Sequence, residues 1–148
     1  MRITLKQSDY DRILDFAKSG LPNEACGLIA GTEEKEGDRV TVRHIEKVYL
    51  LTNVDHSNEH FSMDPKEQLE SVKDMRANDW KPLGNWHSHP ESPSRPSQED
   101  IRLSFDVHAT YMILSLMDRE HPDFNAFHTD KAQGVYRKEE LEIVKDTQ

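Results

Sequence analysis

The stretch Trp86-His87-Ser88-His89-Pro90-Glu91-Ser92-Pro93-Ser94-Arg95-Pro96-Ser97-Gln98-Glu99-Asp100 decides how the chain is read. Leu83 to His87 has the character of a strand. In a strand, side chains two apart share a face, so the imidazoles of His87 and His89 can converge on one point. The segment from Glu91 to Pro96 holds two prolines and no apolar run, and predicts a loop that turns the chain back. Ser97 with Asp100 three positions later, ahead of Ile101, Leu103 and Phe105, predicts a capped helix from Ser97 to about Phe105. Asp100 then stands in its first turn, close to the strand end. Two histidines and a carboxylate suit zinc, and three protein ligands leave a fourth position for water, which is the catalytic rather than the structural arrangement. Water on such an ion has a pKa of about 7.

That chemistry needs a proton carrier. The candidate by context is Glu24, in Leu21-Pro22-Asn23-Glu24-Ala25-Cys26-Gly27-Leu28-Ile29-Ala30-Gly31, immediately ahead of an apolar run. Nothing in the spacing brings Glu24 to the histidines, and taken alone it reads as a solvated glutamate. The plainer readings of the others are a hydrogen-bonded histidine pair for His87 and His89, a capping-box carboxylate for Asp100 and an N-cap for Ser97. Cys26 reads as a small buried residue, and the remaining histidines lack motif spacing.

Glu24, followed by His87-x-His89-Pro90, six residues, Ser97, two residues and Asp100, resembles the complete motif of the JAMM (MPN+) metalloproteases. Glu24-Ala25-Cys26-Gly27-Leu28 and Phe61-Ser62-Met63-Asp64-Pro65 fit the same pattern. The resemblance implies an MPN fold, an α+β (α/β-like) domain with a mixed, curved β-sheet flanked by helices and a cytidine-deaminase-like core. It implies Zn2+ held by His87, His89 and Asp100, with Glu24 as general base that also passes the proton to the departing amine. Ser97 is implied as the hydrogen-bond donor to the bound water or the oxyanion. The reaction implied is hydrolysis of a peptide or isopeptide bond. The short chain is similar in layout to standalone prokaryotic members, which act on ubiquitin-like sulfur-carrier proteins, trimming residues after a C-terminal Gly-Gly or releasing an amino acid built on the carrier. Such a tail is expected to lie as an added strand near Asn53 to Phe61 and the Glu91 to Arg95 loop. The alternatives are a metal-free MPN scaffold that binds partner proteins, a general zinc peptidase, and a zinc deaminase, for which a lone Cys26 cannot supply the P-C-x-x-C ligands.

With 148 residues, the expectation is one domain spanning 1–148. Lys plus Arg number 19 against 28 Asp plus Glu, a net charge of −9 that argues against nucleic acid or an anionic membrane as main partner. No stretch reaches the roughly 20 apolar residues of a membrane span and no signal-peptide core opens the chain, so a cytoplasmic protein is expected. A single cysteine excludes an internal disulfide. The oligomeric state stays open, a homodimer included.

Along the chain, Ile3 to Leu5 predicts a strand, and Ser8 with Asp11 a helix to about Ser19 buried through Ile13, Leu14 and Ala17, stopped by Gly20. Ala25 to Ala30 predicts a central strand, Gly31 to Asp38 a charged solvated turn, and Val40 to Ile45 and Lys47 to Thr52 two further strands. Asp64-Pro65 opens a helix to about Ala77 with Leu69, Val72 and Met75 as its apolar stripe. Thr110 to Leu116 is a strand, Asn125 to Thr129 and Gly134 to Arg137 a closing pair, and Glu139 to Gln148 a frayed end or short helix.

Overall fold

Apolar residues alternating with polar ones through most of the chain build a sheet, and that sheet carries the architecture. In the computed structural model, which describes residues 1–104 and 106–146, seven strands and three helices follow in the order β1 (Arg2–Lys6), α1 (Gln7–Ser19), β2 (Cys26–Glu36), β3 (Arg39–Leu51), α2 (Pro65–Ala77), β4 (Lys81–His89), α3 (Gln98–Arg102), β5 (Thr110–Ser115), β6 (Asp123–Asp130) and β7 (Val135–Val144). The strand order is β1-β3-β2-β4-β5-β6-β7, and the sheet closes because β7 returns to pair with β1. Pairing is mixed: β1 runs parallel to both β3 and β7, and β4 parallel to β5, while the other neighbours are antiparallel. The mixed sheet is as expected. Its closure into a barrel, with strand rather than helix predominant, departs from the expected α+β layout flanked by helices.

Closure explains one correction. The end expected to fray or form a short helix from Glu139 is strand to Val144, in register with β1 from Arg2 opposite Glu140 to Lys6 opposite Val144. Glu140 and Glu142 face solvent, Leu141 packs on the core, and Glu139, on the same face as Leu141, is buried against the N-terminal amine and Arg137, so charge alone hid a strand. Thr147 and Gln148 lie outside the described residues. So does Phe105, at the end of the helix predicted from Ser97; what is described of that helix ends at Arg102.

β2 and β3 form one long hairpin. The expected solvated turn over Gly31 to Asp38 is mostly strand, and only Gly37 and Asp38 turn, with Gly37 at φ 64°, where a glycine meets no steric penalty. The two strands expected on either side of Glu46 are one: pairing steps from Ala30 opposite Lys47 to Gly31 opposite Ile45, and Glu46 is the extra residue of a bulge.

One face of the sheet packs Ile29, Trp86, Met112 and Leu114 against Ile13 and Ala17 of α1. The Trp86 indole N–H donates to the Tyr49 carbonyl at 3.1 Å. A Cβ on Gly27 would lie 1.7 Å from that carbonyl and 2.3 Å from the indole nitrogen, so glycine is required beside Cys26. Ser8, expected to cap α1, instead bonds Asp146 through its amide and hydroxyl. Leu14 is only partly buried.

α2 lies against the opposite face, over Ala30, Tyr49 and Leu51. Its start is as expected, with Asp64 accepting from the amides of Lys66 and Glu67. Its buried residues are Ser71 and Met75, whereas Leu69 is 56% and Val72 36% exposed. Polar clamps turn the helix: Glu67 accepts from the amide and hydroxyl of Thr52, and Asp74 from Lys47 and the Tyr49 hydroxyl. No helix among the described residues is long and apolar enough to cross a membrane.

Candidate metal centre

β4 extends beyond the expected Leu83–His87 to His89, so both histidines belong to the strand. A bulge at its start, where Gly84 opposes Ile29 and Pro82 opposes Ala30, sends Leu83 to the core and leaves Asn85, His87 and His89 on the other face. The chain after Pro90 is pinned back onto β5. Ser115 Oγ donates to the Ser92 carbonyl at 2.6 Å, Ser94 Oγ to the Ile113 carbonyl at 2.6 Å, and the Arg119 guanidinium to the carbonyls of Pro90, at 2.5 Å, and Leu116. This loop delivers Ser97 as the N-cap of α3 in a full capping box: Ser97 Oγ accepts from the Asp100 amide at 3.0 Å, and Asp100 Oδ2 accepts from the Ser97 amide at 2.9 Å.

The cap does not exhaust Asp100. Its Oδ2 also stands 3.0 Å from His89 Nε2, and its Oδ1 3.3 Å from His87 Nε2. The two Nε2 atoms are 3.1 Å apart. The structure therefore brings His87, His89 and Asp100 together as the sequence predicts, and the capping and converging roles of Asp100 coexist. His89 Nδ1 lies 2.9 Å from the Pro93 carbonyl, which can only accept, so the ring proton sits on Nδ1 and the Nε2 lone pair points at its neighbours. His87 Nδ1 is buried without a partner among the described residues, so in the absence of an ion the His87 proton on Nε2 donates within the triangle. With that proton on Nδ1, both Nε2 lone pairs and the carboxylate converge on one point, the arrangement a cation takes. Bonds of about 2.0–2.1 Å to a tetrahedral ion give edges of about 3.3 Å, close to those found, so the donor set fits zinc.

Burial and the carboxylate act oppositely on the two rings. Burial holds His87, 3% exposed, to its neutral form. For His89 burial acts in the same direction, but Asp100 and the Pro93 carbonyl outweigh it and raise the pKa. Burial alone would raise Asp100; the two imidazoles hold it well below the ordinary carboxylate range.

Glu24 arrives by register. Cys26 pairs with His87, and one step further the Ala25 amide donates to Ser88 Oγ at 2.8 Å while the Ser88 amide donates to the Ala25 carbonyl at 2.9 Å, which aligns Glu24 with His89. Glu24 is also held from the loop side: its amide donates to the Ser57 carbonyl at 2.7 Å and its carbonyl accepts from Asn53 Nδ2 at 3.0 Å. It is 6% exposed, and burial pushes its carboxyl up to about 8, opposed by His89 and reinforced by Asp100 and Glu99. The solvated reading of Glu24 is therefore wrong. Cys26 is a buried thiol, raised by that burial to about 12, as a packing residue should be.

Phe61 stacks on the His87 ring, centroids 4.7 Å apart. The sequence flags Phe61 only through the family pattern, since no periodicity announces a cross-loop stack. A cavity of about 330 Å³ opens beside His87 and Asp100, bordered by His60 to Ser62 on the loop expected to flank a substrate. Its opposite wall is α3, with Pro96, rather than the Glu91 to Arg95 loop, which is tied to β5.

The sequence profile described as prokaryotic homologs of the JAB domain matches residues 6–129. The chain belongs to this JAB family. The JAB chain is 29% identical over 142 residues to a CysO-cysteine peptidase of Mycobacterium tuberculosis, covering 96% of this chain and 91% of that protein. It is 29% identical over 119 residues to a desampylase of Haloferax volcanii, covering 77% and 81%. Among solved structures, a Desulfitobacterium hafniense protein superposes with a TM-score of 0.83 at 46% identity, covering 97% of the JAB chain and 94% of its own. A JAB1/MPN domain protein from Archaeoglobus fulgidus shares the fold, with a TM-score of 0.54 at 22% identity over 96% and 99% of the two chains.

Proposed function

We propose that this chain is a zinc-dependent peptidase or isopeptidase that hydrolyses the amide bond after the C-terminal Gly-Gly of a ubiquitin-like or sulfur-carrier protein. Three converging ligand atoms, from His87, His89 and Asp100, with a buried carboxyl aligned beside them support the reading most strongly. The named activities of the mycobacterial and haloarchaeal relatives point to the substrate class.

His87, His89 and Asp100 would hold the zinc. Bound there, zinc supplies a water of lowered pKa and a positive charge facing the scissile carbonyl. The protein does the rest. Glu24, shielded from solvent, takes the proton of the attacking water on its carboxylate and returns it to the departing amine. Ser97 Oγ accepts the Asp100 amide in the cap, which leaves its own proton free to donate to the oxyanion. The Pro93 carbonyl fixes the ring of His89, and Phe61 keeps water off His87.

The test is the intact mass of a ubiquitin-like carrier bearing extra residues after its Gly-Gly, incubated with the protein. Loss of the extension with wild type, and not with Glu24→Gln or with a chelator present, is expected. A carrier left intact by zinc-loaded wild type overturns the substrate assignment, and a chain that binds no zinc would favour the scaffold alternative.

A further inference from the structure

The cavity beside the metal site extends beyond what the chemistry needs. From His87 it runs across the sheet face over Asn85 of β4 and Tyr111 and Ile113 of β5 to Thr129 of β6, roofed by Leu103 just past α3. Neither Glu24 nor His89 borders it. The floor follows from register, since Asn85 pairs with Tyr111, His87 with Ile113, and Tyr111 with Phe127, two residues before Thr129 on the same face. Strands stand about 4.8 Å apart and rise about 3.3 Å per residue, so Tyr111 and Ile113 of β5 lie about 5–8 Å from His87, and Thr129, four residues along β6 from Asn125 at the level of His87, lies about 16 Å away.

Two observations mark this slot as a receptor for a substrate side chain. First, Thr129 is 6% exposed, and its buried Oγ1 has no hydrogen-bond partner among the described residues. A buried hydroxyl without a partner is destabilising, and a structural role would not leave it so. Second, the slot lies on one side of the site and Glu24 on the other. The group that protonates the departing amine must stand nearest the nitrogen, so the acyl part of the substrate extends away from Glu24, toward the slot. Extended chain advances about 3.3 Å per residue, so the third residue from the scissile carbonyl stands about 7–10 Å away, with its side chain over Tyr111 and Ile113.

We infer that the slot over Asn85, Tyr111, Ile113 and Thr129 selects the residue immediately before the Gly-Gly of the substrate tail. This rests on the function proposed above. The two glycines pass the metal site with no side chains to place, and the preceding residue inserts an apolar side chain between Ile113 and Leu103. The Asn85 carboxamide, two residues from His87 on β4, and Thr129 Oγ at the far end offer hydrogen bonds to the tail. Leu103, 49% exposed, forms the roof and is the specificity residue most open to change without harm to the fold.

The experiment measures kcat and KM for carriers that carry Leu, Met, Gly or Asp before the Gly-Gly, with wild type, Leu103→Trp and Thr129→Val. Wild type is expected to favour Leu and Met over Gly and Asp by about tenfold or more, chiefly in KM, the usual worth of an apolar side chain in a pocket. Leu103→Trp, which fills the slot, should abolish the preference by raising KM for the Leu and Met carriers to that for the Gly carrier. Thr129→Val should fold with wild-type stability or better and change KM for the favoured tails. Cleavage of all four carriers at equal efficiency overturns the slot assignment and leaves the peptidase reading intact. So does a preference that Leu103→Trp leaves untouched, or one that follows the residue after the scissile bond. Failure of zinc-loaded wild type to cleave any carrier overturns both.

Discussion

Strand β4 carries a buried polar cluster at each end. At its start, Arg43 Nε donates to Glu33 at 2.9 Å, its Nη1 donates to Thr110 Oγ1 at 2.8 Å and to the Leu83 carbonyl at 3.2 Å, and Lys81 donates to Glu33 at 2.8 Å. Each of these contacts matches a donor with an acceptor. At its end, His87, His89 and Asp100 bring three metal-ligating atoms within 3.0–3.3 Å of one another. Both clusters are buried, and burial by itself distinguishes nothing. A cluster that pairs every donor with an acceptor holds the sheet together, whereas one that converges three ligand atoms on a point and leaves His87 Nδ1 without a partner among the described residues is shaped to hold a cation.

The contrast can be broken in order of expected effect. Glu24→Gln should keep zinc content and melting temperature while kcat falls by about 10²–10⁴-fold, since only proton transfer is removed. Activity within a few-fold of wild type would remove Glu24 from the chemistry. Arg43→Ala should do the converse. It leaves Glu33, whose side chain is 6% exposed, with Lys81 alone, and should cost about 3–5 kcal/mol in denaturant unfolding with zinc binding preserved. Loss of zinc in that variant would show that the two ends of β4 are not independent.

Asp100→Asn separates the two roles of one side chain. A carboxamide oxygen still accepts the Ser97 amide, so stability should change by less than about 1 kcal/mol. Zinc affinity, by competition with a chromogenic chelator, should fall by about tenfold or more. The smallest effect is a pH dependence. Burial would raise the Glu33 carboxyl, but Lys81 and Arg43 outweigh it and hold it below the ordinary value. Its contribution is then complete above the unfolded glutamate pKa of about 4.3, and is lost as pH falls through the lower folded value. Glu33→Gln should flatten the fall in stability over that acid range, and an unchanged slope would assign the fall to other carboxylates.

Glu33 also shows where the sequence misleads. A run of Glu33, Glu34 and Glu36 between glycines reads as a solvated turn, yet Glu33 lies on a strand with its partner Arg43 brought alongside by the hairpin. Leu69 and Val72 mislead in the opposite sense. Their spacing marks an apolar stripe, but Asp74 binds Tyr49 of β3 and Glu67 binds Thr52 just past it, which turns the helix so that both are exposed. In each case a long-range polar contact, which periodicity does not encode, decides burial.

What the sequence by itself determined is local. Period two aligns His87 with His89, a serine cap places Asp100 in the first turn of the next helix, and Asp64-Pro65 starts α2 at the right residue. These follow from backbone geometry within a few residues, which any strand or helix must obey. Tertiary structure alone decided that Glu24 stands by His89, that Phe61 covers His87, and that β7 closes the sheet against β1. Those depend on register between strands that are 63 residues apart at Ala25 and Ser88 and further still at β1 and β7, and register is set by the packing of the whole sheet and the bulges in it.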